Sequence, residues 1–408
     1  MATPKLRFKE FDGGWTKSTI QFFMDNNFIL DQMDGNHGEL YPKSEEFSAT
    51  GVPYISATDF SFGDVNFATC KRLPIERAKL FKKGIAKNGD VLFAHNATVG
   101  PVAILKTDLD FVILSTTATY YRCEATYLNN HYLKNYFESD FFVQQYFGIM
   151  SQSTRNQVPI TTQRKLNIAV PNIQEQTKIA SFLSAVDEKI SQLTQKHELL
   201  SQYKQGMMQK LFSQQIRFKA DDGSEFGEWE EISANELFEN YSNKDHDGTL
   251  TILAATQDKG IVPRDEIDID IKSSDASVLS YKIIEKGSFV ISLRSFQGGI
   301  EYSNYYGICS PAYTILRSLR PIASEFYKNY LKTNDFIQRL SATVVGIRDG
   351  KQISYQAFST LNIDYPSVEE QTKIANFLSA IDQKIEVVAQ QIEQAKQWKK
   401  GLLQQMFV

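Results

Sequence analysis

Three segments of the sequence carry side chains that could contact nucleic acid. The first, Lys71–Lys87, holds seven basic residues and one acid, Glu76. Cations separated by apolar anchors suit a row of phosphate contacts, which position a protein on a duplex without reading its sequence. A solvated basic helix face explains the same run equally well. The candidates for phosphate contacts are Lys71, Arg72, Lys82 and Lys83.

The other two segments are polar loops, and each has a counterpart in the second half of the chain. Ala94–Gly100 corresponds to Ser292–Gly299, and Ser151–Gln157 corresponds to Gly346–Gln352. Their amide, hydroxyl and guanidinium groups are those that bond to base edges, although ordinary surface turns have a similar composition. Corresponding loops carry different side chains, as expected if the two halves of the chain bind two different DNA sequences. The candidates in these loops for contacts with base edges or phosphates are Asn96, Thr98, Arg155, Asn156, Gln157, Arg294, Ser295, Gln297, Arg348, Lys351 and Gln352.

The usual motifs of catalysis are missing from the sequence. It contains no GxxxxGKS/T phosphate loop, no GxGxxG, no HExxH and no Pro-Pro pair of the kind that an amino-methyltransferase needs. The five histidines are dispersed, and the three cysteines, Cys70, Cys123 and Cys309, form no CxxC pair. We therefore expect a binding protein with no catalytic residue, no metal site and no cofactor of its own.

The composition limits the class of protein. A chain of 408 residues is too long for one ordinary domain. No segment resembles a signal peptide or a membrane span, so we expect a cytoplasmic protein without membrane contact. The formal net charge is −4, and eight carboxylates with no Lys or Arg lie between Asp221 and Glu239. We expect this acidic segment to face away from nucleic acid, because phosphates attract a basic surface.

A repeat organises the whole chain. Glu175–Ile190 (EQTKIASFLSAVDEKI) returns as Glu370–Ile385 (EQTKIANFLSAIDQKI), with 13 of 16 residues identical at an offset of 195. The same offset relates Lys204–Phe212 to Lys399–Phe407, and the N-terminal motif LRFKEFDGGW is echoed by IRFKADDGSEFGEW at Ile216–Trp229. The chain therefore consists of two copies of one plan, a globular unit followed by a helix.

The repeated segments predict two long helices. Apolar residues follow a 4,3 spacing, which is typical of helices that pack side by side along a seam, and Pro171 and Pro366 precede the two helices. At 1.5 Å per residue, roughly 38 residues span about 57 Å, whereas ordinary amphipathic core helices, the simpler alternative, are much shorter. The predicted seam residues are Ile179, Leu183, Val186, Ile190, Ile374, Leu378, Ile381 and Ile385.

The pattern as a whole predicts an α+β protein with four segments. Two mixed α/β domains, residues 1–170 and 216–365, alternate with two helices, residues 171–215 and 366–408. Short β-rich runs bounded by Gly, Asn and Asp indicate the strands of each domain. Similar helices beside divergent domains indicate a common scaffold that carries two different binding surfaces.

The duplicated helix motif resembles a known family. P-x-x-x-EQ-x-KIA-x-FL-S-x-V/I-D-x-KI, occurring twice after divergent units that begin with RFK, is similar to the specificity subunit of type I restriction-modification systems, and the resemblance covers essentially the whole chain. It implies two target-recognition domains, each reading one half of a bipartite DNA site. It also implies that the two helices pack antiparallel as a coiled-coil spacer with pseudo-two-fold symmetry.

The resemblance further implies partners. Double-stranded DNA, two methylation subunits docked on the helices, and restriction subunits would complete the complex. S-adenosylmethionine would be bound by the methylation subunits and ATP by the restriction subunits, so neither needs a position in this chain. Three alternatives stay open: a specificity subunit of another restriction-modification type, a coiled-coil adaptor that bridges proteins without reading DNA, and an enzyme.

Overall fold

A computed structural model gives the fold and describes residues 3–61, 63–151, 156–257, 259–267, 278–292, 295, 299–343 and 353–408. The α-helices of this part are α1 Ile20–Asp25, α2 Ile75–Ala78, α3 Asn130–Glu138, α4 Asp140–Met150, α5 Ile160–Gln163, α6 Ile173–Phe212, α7 Ala234–Leu237, α8 Ser324–Tyr330, α9 Asn334–Ala342, α10 Tyr355–Ser359 and α11 Val368–Met406. The strands before α6 are β1 Thr16–Thr19, β2 Ile29–Asp34, β3 Val52–Ile55, β4 Phe60–Ser61, β5 Asp64–Val65, β6 Lys71–Leu73, β7 Ile85–Ala86, β8 Val91–Asn96, β9 Thr98–Ile104, β10 Val112–Leu114, β11 Ala118–Cys123 and β12 Asn167–Val170. The strands after α6 are β13 Glu230–Ser233, β14 Phe238–Tyr241, β15 Ile252–Thr256, β16 Gly260–Pro263, β17 Lys282–Ile284, β18 Phe289–Ile291, β19 Glu301–Tyr302, β20 Gly307–Cys309, β21 Thr314–Ser318 and β22 Asn362–Tyr365.

The chain forms two compact units. The first unit contains Met1–Lys196 and Val388–Val408, and the second contains His197–Val387. Each unit therefore combines one globular domain with a part of α6 and a part of α11. The two long helices, of 40 and 39 residues, are longer than the average helix of globular proteins.

The two helices run antiparallel within the first unit. The ring of Phe182 lies 6.1 Å from the ring of Trp398, and Leu193 lines a shallow groove together with Gln391. A later residue of α6 thus lies beside an earlier residue of α11, which defines the antiparallel direction.

Both globular domains have the same strand order. The first has the four-stranded sheets β6-β3-β10-β7 and β2-β11-β8-β9, and the second has β16-β15-β20-β17 and β14-β21-β18-β19. In each domain a further antiparallel pair joins the first strand to the last, β1 with β12 and β13 with β22. The repeat seen in the helices therefore extends to the fold of the domains, although their sequences have diverged.

Alternation along the central strand β8 divides the core of the first domain. Val91 and Phe93 pack in the cluster that contains α3 and α4, whereas Leu92 packs against β3 and β10 of the other sheet. Because successive side chains of a strand point to opposite faces, a strand buried on both faces is an uninterrupted apolar run. β18 divides its side chains between two clusters of the second domain in the same manner.

An arginine–glutamate pair ties the start of each long helix to the start of its domain. Arg7 contacts Glu175 through two bonds of 2.7 Å, and Arg217 contacts Glu370 through bonds of 3.0 and 2.8 Å. Both glutamates are fully buried. We call each pair a clasp, and it explains why RFK and the glutamate of EQ occur in both copies.

The glutamine of the repeated EQ is buried for a related reason. Gln176 donates to the carbonyl of Pro171 at 2.9 Å and accepts from the N–H of Asn129 at 2.9 Å. Gln371 makes the same bonds with Pro366 and Ala323, at 2.8 and 2.9 Å. These bonds join the carbonyl that precedes each long helix to an N–H at the start of α3 or α8, which those short helices themselves leave without a partner.

The predicted fold class is confirmed. Each unit is mixed in helix and sheet, the two domains repeat one topology, and the two long helices are antiparallel where they meet in the first unit. The seam residues are buried, except Ile385, which is half-buried.

Candidate nucleic-acid interface

The hairpin between β8 and β9 presents two of the candidate residues. Asn96 and Thr98 pair across a single residue, Ala97, which has a φ of 64°. This left-handed conformation is rare for residues other than glycine, and it closes the turn sharply. Thr98 and Ala97 are exposed, and Asn96 is half-buried. We call Asn96–Thr98 the hairpin tip.

A second predicted loop lies against this tip. Asn156 accepts from the N–H of Ala97 at 3.0 Å, and Asn96 forms a β-bridge with Gln157. Asn156 is exposed and Gln157 is half-buried. We call Asn156–Gln157 the docked segment. The structure thus brings together four candidates that the sequence placed in separate loops, and they offer amide and hydroxyl groups on one surface.

The residue behind the tip is a buried histidine. His95 is 5% exposed, and its carbonyl accepts from the N–H of Val158 at 2.8 Å. Burial lowers the pKa of His95, although Asp34 partly opposes the shift. The imidazole is therefore neutral near pH 7 and adds no positive charge beneath the tip.

The four basic candidates do not lie on one line. Lys71 and Arg72 are in β6, at one edge of its sheet, whereas Lys82 and Lys83 precede β7, which forms the opposite edge. Three strand spacings of about 4.8 Å separate the edges, or roughly 14 Å. Lys71, Lys82 and Lys83 are exposed, while Arg72 is half-buried and bonds to the carbonyl of Gly51 at 3.2 Å. A continuous phosphate track is therefore not what the structure shows.

The candidates in the second domain mostly fall outside the described residues. Ser295 is described, and its burial contradicts the prediction that it contacts DNA. It is 1% exposed, and its hydroxyl accepts from the N–H of Ser292 at 2.8 Å. A hydroxyl that closes a buried turn is not available to a base. The candidates outside the described residues are Arg155, Arg294, Gln297, Arg348, Lys351 and Gln352.

The part of the chain that the structure describes shows neither a metal-ion site nor a helix that could cross a membrane. No group of three or more His, Cys, Asp or Glu side chains there is arranged to hold a metal ion. None of the helices in those ranges combines the length and apolar character that crossing a membrane requires.

Comparison with known proteins decides the family. The model of the type I restriction modification DNA specificity domain matches residues 31–202 and again residues 227–397. The chain belongs to this family. The double match follows the internal repeat, with one copy for each domain and the helix after it.

Individual members of the family are distant in sequence. A putative type I restriction enzyme MjaX specificity subunit of Methanocaldococcus jannaschii is 25% identical over 340 residues, which are 77% of this chain and 76% of that protein. The type I restriction enzyme MjaVIII specificity subunit of the same organism is 26% identical over 258 residues, 58% of this chain and 60% of that protein.

Solved structures of the family share the fold over the whole length. The S subunit of a type I restriction-modification system from M. genitalium covers 100% of this chain and 99% of its own, with a TM-score of 0.57 and 17% identity. A chain from a study of complex assembly and conformational transition in the type I system covers 97% and 98%, with a TM-score of 0.55 and 17% identity. The tandem arrangement of domain and helix is thus that of the family.

The seam residues of α6 pack against the globular domain as well as against the other helix. In the first unit, Ile179, Leu183, Val186 and Ile190 share one apolar cluster with the domain core and with the last turns of α11. The spacing of these residues predicted a seam, but it gave no sign that the domain covers part of it.

One surface feature of the long helices was not singled out by the sequence. Tyr203 and Trp398 occupy equivalent positions of the two helices, at the offset of 195, and they are 51% and 55% exposed. Aromatic side chains of this kind contribute most of the binding energy when a partner covers them. The repeat contained the signal, since both copies place an aromatic residue at this position.

Proposed function

We propose that the chain is the DNA-reading specificity subunit of a type I restriction-modification complex. Each globular domain reads one half of a bipartite target in double-stranded DNA, and α6 and α11 bind two methylation subunits. The chain itself catalyses no reaction. The methylation subunits bind S-adenosylmethionine, restriction subunits bind ATP, and the complex acts on host and foreign DNA in the cytoplasm.

The joined loops of the first domain carry the proposal. The hairpin tip and the docked segment meet through backbone bonds, so their side chains are presented on a fixed frame. Amides such as Asn96, Asn156 and Gln157 can donate to and accept from one adenine at the same time. The clasps are the same in both copies, whereas the loops differ, as expected for one scaffold with two specificities.

The equivalent aromatic residues support the part of the proposal that concerns partners. Tyr203 and Trp398 are each exposed by about half. Because they occupy the same position of a repeat, two copies of one partner can use them in the same way. Two methylation subunits meet that requirement.

The first experiment tests DNA reading. The chain is co-expressed with its methylation subunit, and methylated adenines in host DNA are mapped at single-base resolution. We expect a bipartite motif with a fixed gap. The variant Asn156→Ala/Gln157→Ala changes the preference in one half of the motif only, and Gln195→Ala, an exposed glutamine of α6, leaves both halves unchanged. A stable complex that methylates no motif would favour the adaptor instead.

The second experiment tests docking on the helices. Tyr203→Ala and Trp398→Ala each weaken the binding of one methylation subunit by about tenfold or more, since exposed aromatics that become buried dominate interfaces. Native mass spectrometry then shows complexes with one subunit in place of two. Leu109→Ala, which removes another exposed apolar side chain (47% exposed) in the loop between β9 and β10, keeps both subunits bound. Full occupancy in the double variant Tyr203→Ala/Trp398→Ala would contradict the assignment of this surface.

A further inference from the structure

A buried glutamine stands behind the docked segment. Gln163 ends α5 and is 0% exposed. Its amide NH₂ donates to the carbonyl of Val158 at 2.7 Å and to Thr119 Oγ1 at 3.2 Å. Its carbonyl oxygen accepts from the hydroxyl of Tyr121 at 2.6 Å and from the amide of Gln32 at 3.2 Å. Every bonding position of this side-chain amide is therefore used.

These bonds fix the backbone that follows the docked segment. The N–H of Val158 donates to the carbonyl of His95, at 2.8 Å, and the carbonyl of Val158 accepts from Gln163. Val158 is thus tied on one side to the strand that carries the hairpin tip and on the other side to the core. Gln163 supplies the hydrogen bond of that second tie, so it constrains the direction in which the chain leaves the docked segment.

The second domain shows that the fold itself does not need this glutamine. At the offset of 195, Phe358 takes the place of Gln163 and Leu316 takes the place of Tyr121. Both are 0% exposed and lie in one apolar cluster. The strand order around them is the same as in the first domain. The second domain therefore occupies these two positions with packed apolar side chains, whereas the first domain occupies them with hydrogen-bonded polar ones.

The two solutions differ in what they constrain. Apolar packing is nondirectional and permits small rotations of the backbone, whereas a fully bonded amide permits one orientation. Burying polar groups brings little net stability over apolar side chains of similar volume. The network in the first domain therefore gives accurate placement more than stability.

We propose that Gln163 is a positioning residue for DNA reading by the first domain. It holds the docked segment at the register and angle that base contacts by Asn156 and Gln157 require, and it touches no DNA itself. This inference rests on the proposed function, because a positioning role has meaning only if the segment reads bases.

The test uses the complete complex of this chain with its methylation subunits. Methylation rates are measured on duplexes that carry the cognate target or a single-base substitution in either half-site. For Gln163→Met, discrimination in the half-site read by the first domain falls about tenfold, which is the usual weight of one mismatched base pair. Discrimination in the other half-site stays unchanged, and KM for the cognate duplex rises more than kcat falls.

Two further variants separate positioning from folding. Tyr121→Phe removes one bond to Gln163 and retains the ring, so it lowers the same discrimination by a smaller factor. Gln163→Phe/Tyr121→Leu transplants the apolar pair of the second domain, so it keeps the melting temperature of the complex but leaves discrimination low. If Gln163→Met does not fold, these two variants decide. The control is Phe358→Met, which leaves the first half-site as the unaltered chain reads it.

The outcomes distinguish this inference from the function on which it rests. If the unaltered complex shows a bipartite motif and Gln163→Met and Tyr121→Phe both discriminate as well as it does, the positioning role is wrong. Equal losses in both half-sites also overturn it, because they indicate general destabilisation. If the unaltered complex shows no motif, the proposed function fails instead.

Discussion

The last turns of the two long helices have the same sequence motif in different surroundings. α11 ends in the first unit, where Phe407 is 1% exposed and its ring lies 5.5 and 5.4 Å from those of Tyr132 and Tyr136. α6 ends in the second unit, where Phe212 is half-buried against Phe326 and lines a groove of about 550 Å³. The helix end is therefore packed more closely in the first unit than in the second.

Charged residues reinforce this difference. In the first unit, Lys399 contacts Glu138 at 2.6 Å and Asp187 at 2.7 Å. Lys134 contacts the same two carboxylates at 3.0 and 2.9 Å. Two lysines and two acids thus form a four-membered network that joins α3, α6 and α11.

The second unit retains only part of this network. Lys204 contacts Asp382 at 2.6 Å, which is the pair equivalent to Lys399 and Asp187. The position of Glu138 is occupied by Lys332, whose ammonium group contacts Glu301 within the domain, at 2.6 Å. The charge reversal at this position redirects the ion pair away from the helices.

The comparison separates what the scaffold requires from what one copy has added. The clasps and the buried EQ pairs occur in both units, so they belong to the shared plan. The four-membered network occurs in one unit only. We expect damage to a clasp to have a larger effect on stability than damage to the network.

The largest expected effect is the loss of a clasp. Arg7→Met leaves the carboxylate of Glu175 buried without its cation, and it lowers the free energy of unfolding of the first unit by about 3–5 kcal/mol. Arg217→Met lowers that of the second unit by about 1 kcal/mol less, because the indole N–H of Trp229 still donates to Glu370, at 2.9 Å. Urea unfolding followed by hydrogen exchange assigns each loss to its unit.

The control for the clasp is an exposed pair. Lys178 is 54% exposed and contacts Glu10 at 3.5 Å, so Lys178→Met changes stability by less than about 0.5 kcal/mol. Equal losses from Arg7→Met and Arg217→Met would contradict the contribution assigned to Trp229.

The next effect compares the two lysines of the helix ends. Lys399→Met leaves Glu138 and Asp187 with one lysine between them and destabilises the first unit by about 2 kcal/mol. Lys204→Met breaks a single pair whose acid is 39% exposed, and it costs less than about 1 kcal/mol. Thermal unfolding of both variants measures the difference, and a larger loss from Lys204→Met would show that the network adds nothing.

The pH dependence of stability gives a further test of the four-membered network. Burial favours the neutral form of Asp187, but Lys134 and Lys399 outweigh it and hold the pKa of Asp187 below its ordinary value, which is about 3.9. Stability from a lowered carboxyl pKa is present above the unfolded pKa and is lost as the pH falls through the folded pKa. The first unit of the unaltered chain therefore loses this contribution below about pH 4, and Lys399→Met reduces the loss.

The sequence predicted those features that are local or repeated. The 4,3 spacing of apolar residues and the close similarity of Glu175–Ile190 to Glu370–Ile385 predict the helices, and short apolar runs predict the strands. The clasp was not predicted, although RFK and EQ were both noticed. An ion pair between residues so far apart in sequence leaves no spacing pattern, and its partners are defined only by the fold.

The sequence identified the loops of the candidate site, but it did not predict that these loops meet on one surface. The hairpin tip and the docked segment meet through backbone groups, which every residue has, so side-chain identity gave no sign of the contact. Ser295 was misread because a hydroxyl suits a buried turn as well as a base edge. Gln163 was missed because a glutamine in a short polar run is usually exposed.

The smallest expected effect concerns pH near neutrality and the histidine beneath the hairpin tip. Burial lowers the pKa of His95 below its ordinary value, about 6.5. The unfolded chain therefore takes up a proton first as the pH falls, and the first unit loses stability between about pH 6.5 and the lower folded pKa.

The equivalent residue in the second copy is Leu293, so His95→Leu imitates that copy and flattens the dependence of the unfolding midpoint on pH from 7 to 5. His131, whose pKa burial also lowers, contributes to the decrease that remains. An unchanged slope in His95→Leu would show that the folded unit protonates this imidazole as readily as the unfolded chain does. The frame of the hairpin tip would then gain a charge below about pH 6.5, which its buried position argues against.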